Sequence, residues 1–217
     1  MAITYRLPKG PLVLASASQT RQMMLKQAGL DFISRPANVD EVGIRKAAEA
    51  SSMPAEEIAI LLADMKARQI ANDLSAGDDS SSTSGFVLGS DQILFCGGEI
   101  ISKPQTFDAA VEQVAKIAGK DHQLLTAAVI YRDGERIWHH LETPKISIRA
   151  LDRDFIEPYV RGLGEAAFHS PGSYQIEGHG AHLFSKIQGC SYSVLGLPLL
   201  QILAFLRNHG LAPEDQP

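Results

Sequence analysis

The 217-residue chain has two cysteines, Cys96 and Cys190, and one tryptophan, Trp138. Neither cysteine belongs to a CxxC pair, which excludes zinc-ribbon chemistry, and two thiols permit at most one bridge. Positive charge is not in excess: 20 Lys and Arg stand against 25 Asp and Glu, a formal charge of −5. A basic coat for polymeric nucleic acid is excluded as the default. A local cationic pocket is not, because net charge does not say where charge is focused. The longest apolar stretch, near Val194 to Leu206, is broken by Gly196, Pro198 and Gln201. It is shorter than the ~20 apolar residues of a membrane span. The opening MAITYRLPKG lacks the apolar core of a signal peptide. The expectation is a cytoplasmic protein with no membrane partner. The GxGxxG and GxxxxGKS/T fingerprints are also missing, so a dinucleotide fold and a P-loop are not indicated.

Hydrophobic residues make up 45% of the chain, enough for a sizeable core without staples. Pro11–Ser16 reads as a short apolar strand, Thr20–Ala28 as a helix stopped at Gly29, and Phe32–Arg35 as a second strand. Ala47–Met53 is ambiguous. From Pro54, Ile58, Leu61, Leu62 and Met65 recur at helical spacing, predicting a helix to about Asn72. Residues 74–85, rich in Ser, Asp and Gly, read as a polar mobile loop. Phe86–Phe95 is an apolar strand ending at the Gly97–Gly98 turn, and Thr106 is placed to cap a helix through Ile117. His122–Tyr131 and Arg136–Ala150 read as strands joined at Asp133–Gly134, with Pro144 bending the second. Asp152 starts a helix through Arg161, Pro198 to about His209 forms the last, and 211–217 reads as a frayed tail. Alternating strands and helices followed by a long hairpin predict an α/β fold: a mixed sheet with flanking helices and a cleft, in one domain.

Five places carry candidate chemistry. In Ser16–Arg21, SASQTR sits at a strand-to-helix turn, where amides, the hydroxyls of Ser16 and Ser18 and the Arg21 fork suit phosphate oxygens; an ordinary serine cap is the plainer reading. Asp40 and Glu41 are adjacent carboxylates that want a cation, or else Asp40 caps a helix. Lys66 borders an apolar face, where its stem can snorkel without function. Asp91 lies inside the apolar run FVLGSDQILF. A carboxylate there is costly unless paired, hydrogen-bonded or metal-bound. Gln92 beside it donates and accepts, and Lys103 returns a cation after the turn. Last, Gly172–Gly189 is glycine-rich and carries Glu177, able to accept from a base edge, and Tyr174, more often a packing residue. His179 and His182 are three apart, but no HExxH or third ligand accompanies them. Carboxylates recruit Mg²⁺, and cations with helix-start amides hold the rest of a polyphosphate. The combination fits metal-assisted phosphoanhydride hydrolysis and leaves the substrate open.

The ordered segments LVLASASQTR (Leu12–Arg21), PANVDE (Pro36–Glu41), LADMKA (Leu62–Ala67), LGSDQ (Leu88–Gln92), SKP (Ser102–Pro104), HQLLT (His122–Thr126) and the stretch Ser173–Leu199 resemble the Maf family of nucleoside triphosphate pyrophosphatases. The resemblance implies a twisted mixed sheet with flanking helices, two lobes around a deep nucleotide cleft, and a homodimer. It implies cleavage of a nucleoside triphosphate between the α and β phosphates, releasing a monophosphate and pyrophosphate with Mg²⁺ or Mn²⁺. Asp91 falls on the family's proton acceptor, Glu41, Lys66 and Lys103 on its polar cleft positions, and Ser16 and Arg21 on its phosphate turn. Glu41 and Asp91 would hold the metal, with Asp40 in support. Thr20, Gln92 and Glu177 would border the base. Gln92 and Glu177 are similar to the branch acting on 7-methyl-GTP, whereas the dTTP and UTP branch generally has threonine and glutamine there. Thr20 stands where the former branch usually has tryptophan, Gln19 where proline is usual, and Ser170 roughly where the family has a lysine. The alternatives are a dTTP/UTP or broad-range pyrophosphatase, and a nucleotide-binding regulator of septum formation with little turnover.

Overall fold

Strands covered on both faces read as unbroken apolar runs, and Leu12–Leu14, all buried, form the first such strand. The computed structural model describes residues 3–76 and 85–214. In chain order the elements are β1 (Tyr5–Arg6), β2 (Leu12–Leu14), α1 (Gln19–Gln27), β3 (Phe32–Ser34), α2 (Glu41–Ala50), α3 (Ala55–Ala76), β4 (Phe86–Cys96) and β5 (Glu99–Ile101). Then follow α4 (Phe107–Ile117), β6 (Asp121–Arg132), β7 (Glu135–Glu142), β8 (Lys145–Ile148), α5 (Arg153–Leu163), β9 (Phe184–Gln188), α6 (Ser191–Val194), α7 (Leu199–Arg207) and β10 (Ala212–Pro213). The fold is mixed α/β, as expected, with parallel and antiparallel pairings.

The chain divides into two units. The first comprises Met1–Asp91, Thr126–Glu142 and Leu195–Pro217; the second comprises Gln92–Leu125 and Thr143–Val194. In the first, β2 pairs parallel with β3 and β4, and β6 pairs antiparallel with β7. The turn Asp133–Gly134, both at positive φ, closes that hairpin where the sequence predicts it. Leu12, Leu14, Leu25, Leu88, Ile130 and Ile202 anchor this unit's core. Helix α3 buries Ala55, Ala59, Ala63, Ala67 and Ala71 at every fourth position. The small side chains let it lie close to β4: a Cβ on Gly89 would stand 2.2 Å from the Ala63 carbonyl oxygen. Leu61 and Met65, assigned to the inner face by spacing, are only half-buried, because the alanine stripe and Lys66 take that face.

In the second unit, the end of β4 pairs with β5, the start of β6 with β8, and β8 with β9, all antiparallel. The strand expected over Arg136–Ala150 is two strands, because Pro144 lacks the N–H that would continue the ladder. Val111, Val114, Ile117, Ile146, Ile156 and Leu183 are among its buried residues.

Of the expected polar loop, Leu74–Ala76 are the last turn of α3 and Gly85 leads into β4; residues 77–84 lie outside the described residues. Of the expected frayed tail, β10 pairs with β1 and the Glu214 amide donates to the Thr4 carbonyl; residues 215–217 lie outside the described residues. The ambiguous stretch from Ala47 is the end of α2 and its exit turn.

Candidate active site

The strand-to-helix turn after β2 is built from its own serines. The Ser18 amide donates to Ser16 Oγ at 3.2 Å, and the Arg21 amide donates to the Ser18 hydroxyl, which caps α1. The serine-cap reading is therefore correct, and it leaves the function open. Arg21 is fixed from three sides. Its Nε donates to the Gly196 carbonyl at 2.8 Å, and its Nη1 donates to the Ser90 carbonyl at 2.9 Å and to Ser16 Oγ at 3.3 Å. These contacts engage Nε and Nη1 and leave the two Nη2 hydrogens outside them. Burial works against the Arg21 charge, while Asp91 and Glu41 support it.

Asp91 is 6% exposed on β4 and receives Lys66 Nζ at 2.6 Å on Oδ1. The same ammonium lies 2.7 Å from Glu41 Oε1. Lys66 is itself 8% exposed, projecting from the α3 face that the alanine stripe brings against β4. Snorkelling does not describe this lysine: its ammonium is paired with Asp91 and Glu41. Burial pushes the Asp91 carboxyl above its ordinary value, Lys66 and then Arg21 pull it back, and Glu41 adds a smaller upward push. The result is a carboxylate held close to cations but denied water, a setting in which a base is poised.

Asp40 does what the plainer reading assigns to it. Its Oδ1 accepts from the Gly43 amide at 2.9 Å and caps α2. The cap sets Glu41 as the first residue of the helix, from which its side chain reaches Lys66. Thr20 is half-buried on α1. Ser16, Ser18, Arg21, Glu41, Lys66 and Asp91 thus form one linked group in the first unit.

The remaining predicted residues belong to the second unit. Gln92 Nε2 donates to the Ser193 and Val194 carbonyls at 2.8 and 3.3 Å, so its orientation is fixed. Lys103 is exposed after β5, and Glu177 is exposed in the irregular stretch before β9. His179 and His182 are exposed, and the His182 carbonyl accepts from Arg149 Nε at 2.6 Å.

Sequence reasoning missed Ser90 and Gly196. Ser90, wholly buried, donates through its hydroxyl to the Ala127 and Gly196 carbonyls, and its own carbonyl holds Arg21. A serine beside Asp91 in an apolar run was the available signal. Gly196 gave none, because it acts through its carbonyl.

Among the described residues no group of three or more His, Cys, Asp or Glu gathers to hold a metal ion. Two carboxylates do converge, on Lys66. Mg²⁺ is commonly bound by one or two carboxylates together with substrate phosphates rather than by an all-protein cage. The hard oxygen donors of Asp91 and Glu41 are of the type that suits such an ion, whereas Asp40 caps its helix.

The family described as Maf-like protein matches residues 11–209. A nucleoside triphosphate pyrophosphatase of Hyphomonas neptunium is 41% identical over 202 residues, covering 93% of this chain and 98% of that protein. One of Granulibacter bethesdensis is 41% identical over 198 residues, covering 91% and 96%. A 7-methyl-GTP pyrophosphatase of Brucella abortus is 40% identical over 196 residues, covering 90% and 94%.

Proposed function

The chain belongs to the Maf family, and from that membership we propose that it is a nucleoside triphosphate pyrophosphatase, cleaving between the α and β phosphates to release a nucleoside monophosphate and pyrophosphate. The observation that carries the reading is Lys66 Nζ at 2.6 Å from Asp91 and 2.7 Å from Glu41, with Arg21 fixed nearby on backbone carbonyls.

Asp91 orients the attacking water and takes its proton. Burial raises its pKa, which makes it a better proton acceptor than an ordinary carboxylate, while Lys66 and Arg21 oppose that rise. Lys66 also fixes the angle of Asp91 and supplies positive charge to the phosphates, as do the Nη2 hydrogens of Arg21. Ser16, Ser18 and the α1 amides offer further donors to phosphate oxygens. By resemblance, Lys103 is a further cation for charge on the phosphates. Glu41, with Asp91 acting through the water it orients, would hold Mg²⁺ or Mn²⁺, which when bound supplies Lewis-acid stabilisation of the phosphate charge.

For the base, the reading favours 7-methyl-GTP. The Glu177 carboxylate can accept from both N1–H and N2–H of guanine, while uracil and thymine offer one N–H. Gln92 is anchored through Nε2 to the Ser193 and Val194 carbonyls, which fixes the carboxamide beside Asp91 in sequence. Two of the matched relatives named above carry the broader nucleoside triphosphate title and one the 7-methyl-GTP title.

The test is product analysis across canonical and methylated triphosphates, with and without chelator. Pyrophosphate, lost on chelation and in Asp91→Asn, supports the reading. Orthophosphate as product, or unchanged kcat in Asp91→Asn, overturns it. Glu177→Gln should shift kcat/KM from guanine towards pyrimidine triphosphates; an unchanged ratio removes Glu177 from base reading.

A further inference from the structure

Gln113, on the half-buried side of α4, bonds two segments at once. Its Nε2 donates to the Ser102 carbonyl at 2.7 Å, and its Oε1 accepts from the Gly172 amide at 3.1 Å. The first partner immediately precedes Lys103. The second opens the stretch that carries Glu177.

Both segments need such a fixing point. Lys103 is exposed and follows the short strand β5, so the backbone before it decides where its charge starts. The Gly172 stretch is held in a conformation that local propensity does not favour. Gly172 has φ +73, and the next residue, Ser173, has φ +51 despite its side chain. A Cβ at 172 would be strained at that φ and would crowd Leu94 Cδ1 and the Tyr174 ring, both at 2.9 Å. Such a turn persists only where its surroundings over-determine it. Tyr159 Oη donates to the Ser173 carbonyl at 2.9 Å, Ser170 Oγ donates to the Tyr174 carbonyl at 2.8 Å, and Tyr174 Oη meets His122 Nε2 at 2.6 Å. Gln113 completes this set and is the member that also holds the Lys103 segment.

We propose that Gln113 is a positioning residue whose single carboxamide sets the segment of Lys103 and the base-reading segment of Glu177 in register. The proposal rests on the pyrophosphatase reading. An amide is required because one bond needs a donor and the other an acceptor.

The two halves separate chemically. In Gln113→Glu the carboxylate still accepts from the Gly172 amide but cannot donate to Ser102. In Gln113→Met, of similar length, both bonds are lost. We expect Gln113→Glu to lose about tenfold in kcat/KM on every triphosphate, the size of one lost hydrogen bond, with an unchanged ratio between guanine and uracil substrates. Gln113→Met should show that loss and also a flattened ratio. Amide hydrogen exchange reads the same contacts without turnover. Gly172 should stay protected in Gln113→Glu and lose protection in Gln113→Met, and residues 102 and 103 should exchange faster in both. Wild-type kinetics in Gln113→Glu, or the same base ratio and Gly172 exchange in both variants, would overturn the proposal. If Gln113→Met does not fold, Gln113→Glu decides alone by the same two readouts. Absence of pyrophosphate release by the wild type would instead overturn the functional reading, and the exchange results would still judge the clamp.

Discussion

Three charged side chains set the behaviour of the first unit, and their order of importance follows from burial. Asp91 is buried, Lys66 is buried, and the Glu41 side chain is about half exposed at 52%. An exposed partner contributes little to stability, so Glu41 serves mainly to complete the charge around the ammonium. Asp91 is different. Desolvation opposes its charge, and Lys66 and Arg21 only partly restore it. A base with a raised pKa must lose its proton before it can accept another. In the metal-free protein the Asp91 carboxyl should therefore titrate with its midpoint above the ordinary aspartate value of ~3.9. That midpoint belongs to the coupled Asp91, Lys66 and Glu41 set. Lys66→Met should move it further up, because the largest pull on the Asp91 proton is removed. It should also destabilise the protein by ~3–5 kcal/mol, as when one partner of a buried pair is deleted. Carboxyl titration of both metal-free proteins by NMR decides the matter. A midpoint at or below the ordinary carboxylate range, or one unmoved by Lys66→Met, would overturn the assigned environment of Asp91.

The position of Lys66 depends on how α3 meets β4, an interaction between elements. At Gly89 the helix backbone comes so near that an added Cβ would lie 2.2 Å from the Ala63 carbonyl oxygen and 2.8 Å from Ala67 Cβ. Ala63 and Ala67 flank Lys66 in sequence. Gly89→Ala must push α3 off the strand, which stretches the 2.6 Å contact between Lys66 and Asp91. We expect a destabilisation of ~1–3 kcal/mol from overpacking, with kcat falling more than KM rises. Urea titration and steady-state kinetics test this, and wild-type values for both would show that the helix can yield at no cost. The same interface marks the limit of what is legible in the chain. Local signals were readable: the Asp133–Gly134 turn, the Thr106 and Asp152 caps, and an acid inside the apolar run of β4. The inner face of α3 was legible in part: Ile58 and Leu62 are buried as their spacing predicts, but Leu61 and Met65 are half-buried, and the alanine stripe gave no signal. The Gly172–Gly180 stretch was legible only as glycine-rich. Its path is set by Ser170 locally and by Gln113 and Tyr159 from α4 and α5, and its periodicity carries no trace of the latter two. Ser16, Lys66 and Asp91 were recognisable as polar residues in apolar settings, but their mutual distances required the fold.

Across the whole molecule, two buried groups with opposite shifts govern how stability responds to acid. His122, 2% exposed in the second unit, is held neutral by burial and its pKa is pulled down to about 4, with Asp121 opposing weakly. In the unfolded chain it takes a proton near its ordinary ~6.5. Between those values the unfolded state binds more protons, so stability falls as pH drops from ~6.5 to about 4, by up to ~3 kcal/mol. Asp91 works the other way. Its native carboxyl binds a proton more tightly than the unfolded one, so its contribution is fully present below ~3.9 and is lost as pH rises through its raised native value. His122→Gln should therefore flatten the loss of stability between pH ~6.5 and 4, and Asp91→Asn should steepen it. Trp138, the one tryptophan, lies on β7 in the first unit, whereas His122 lies in the second. The chain passes from one unit to the other inside β4 and again inside β6. A strand cannot melt in one unit and keep its full ladder in the other, so unfolding should be one transition. Urea titrations followed by Trp138 fluorescence at pH 7 and 4.5 should report the His122→Gln effect at full size. A Trp138 transition indifferent to His122 would mean that the units unfold separately, and that acid acts on the second alone.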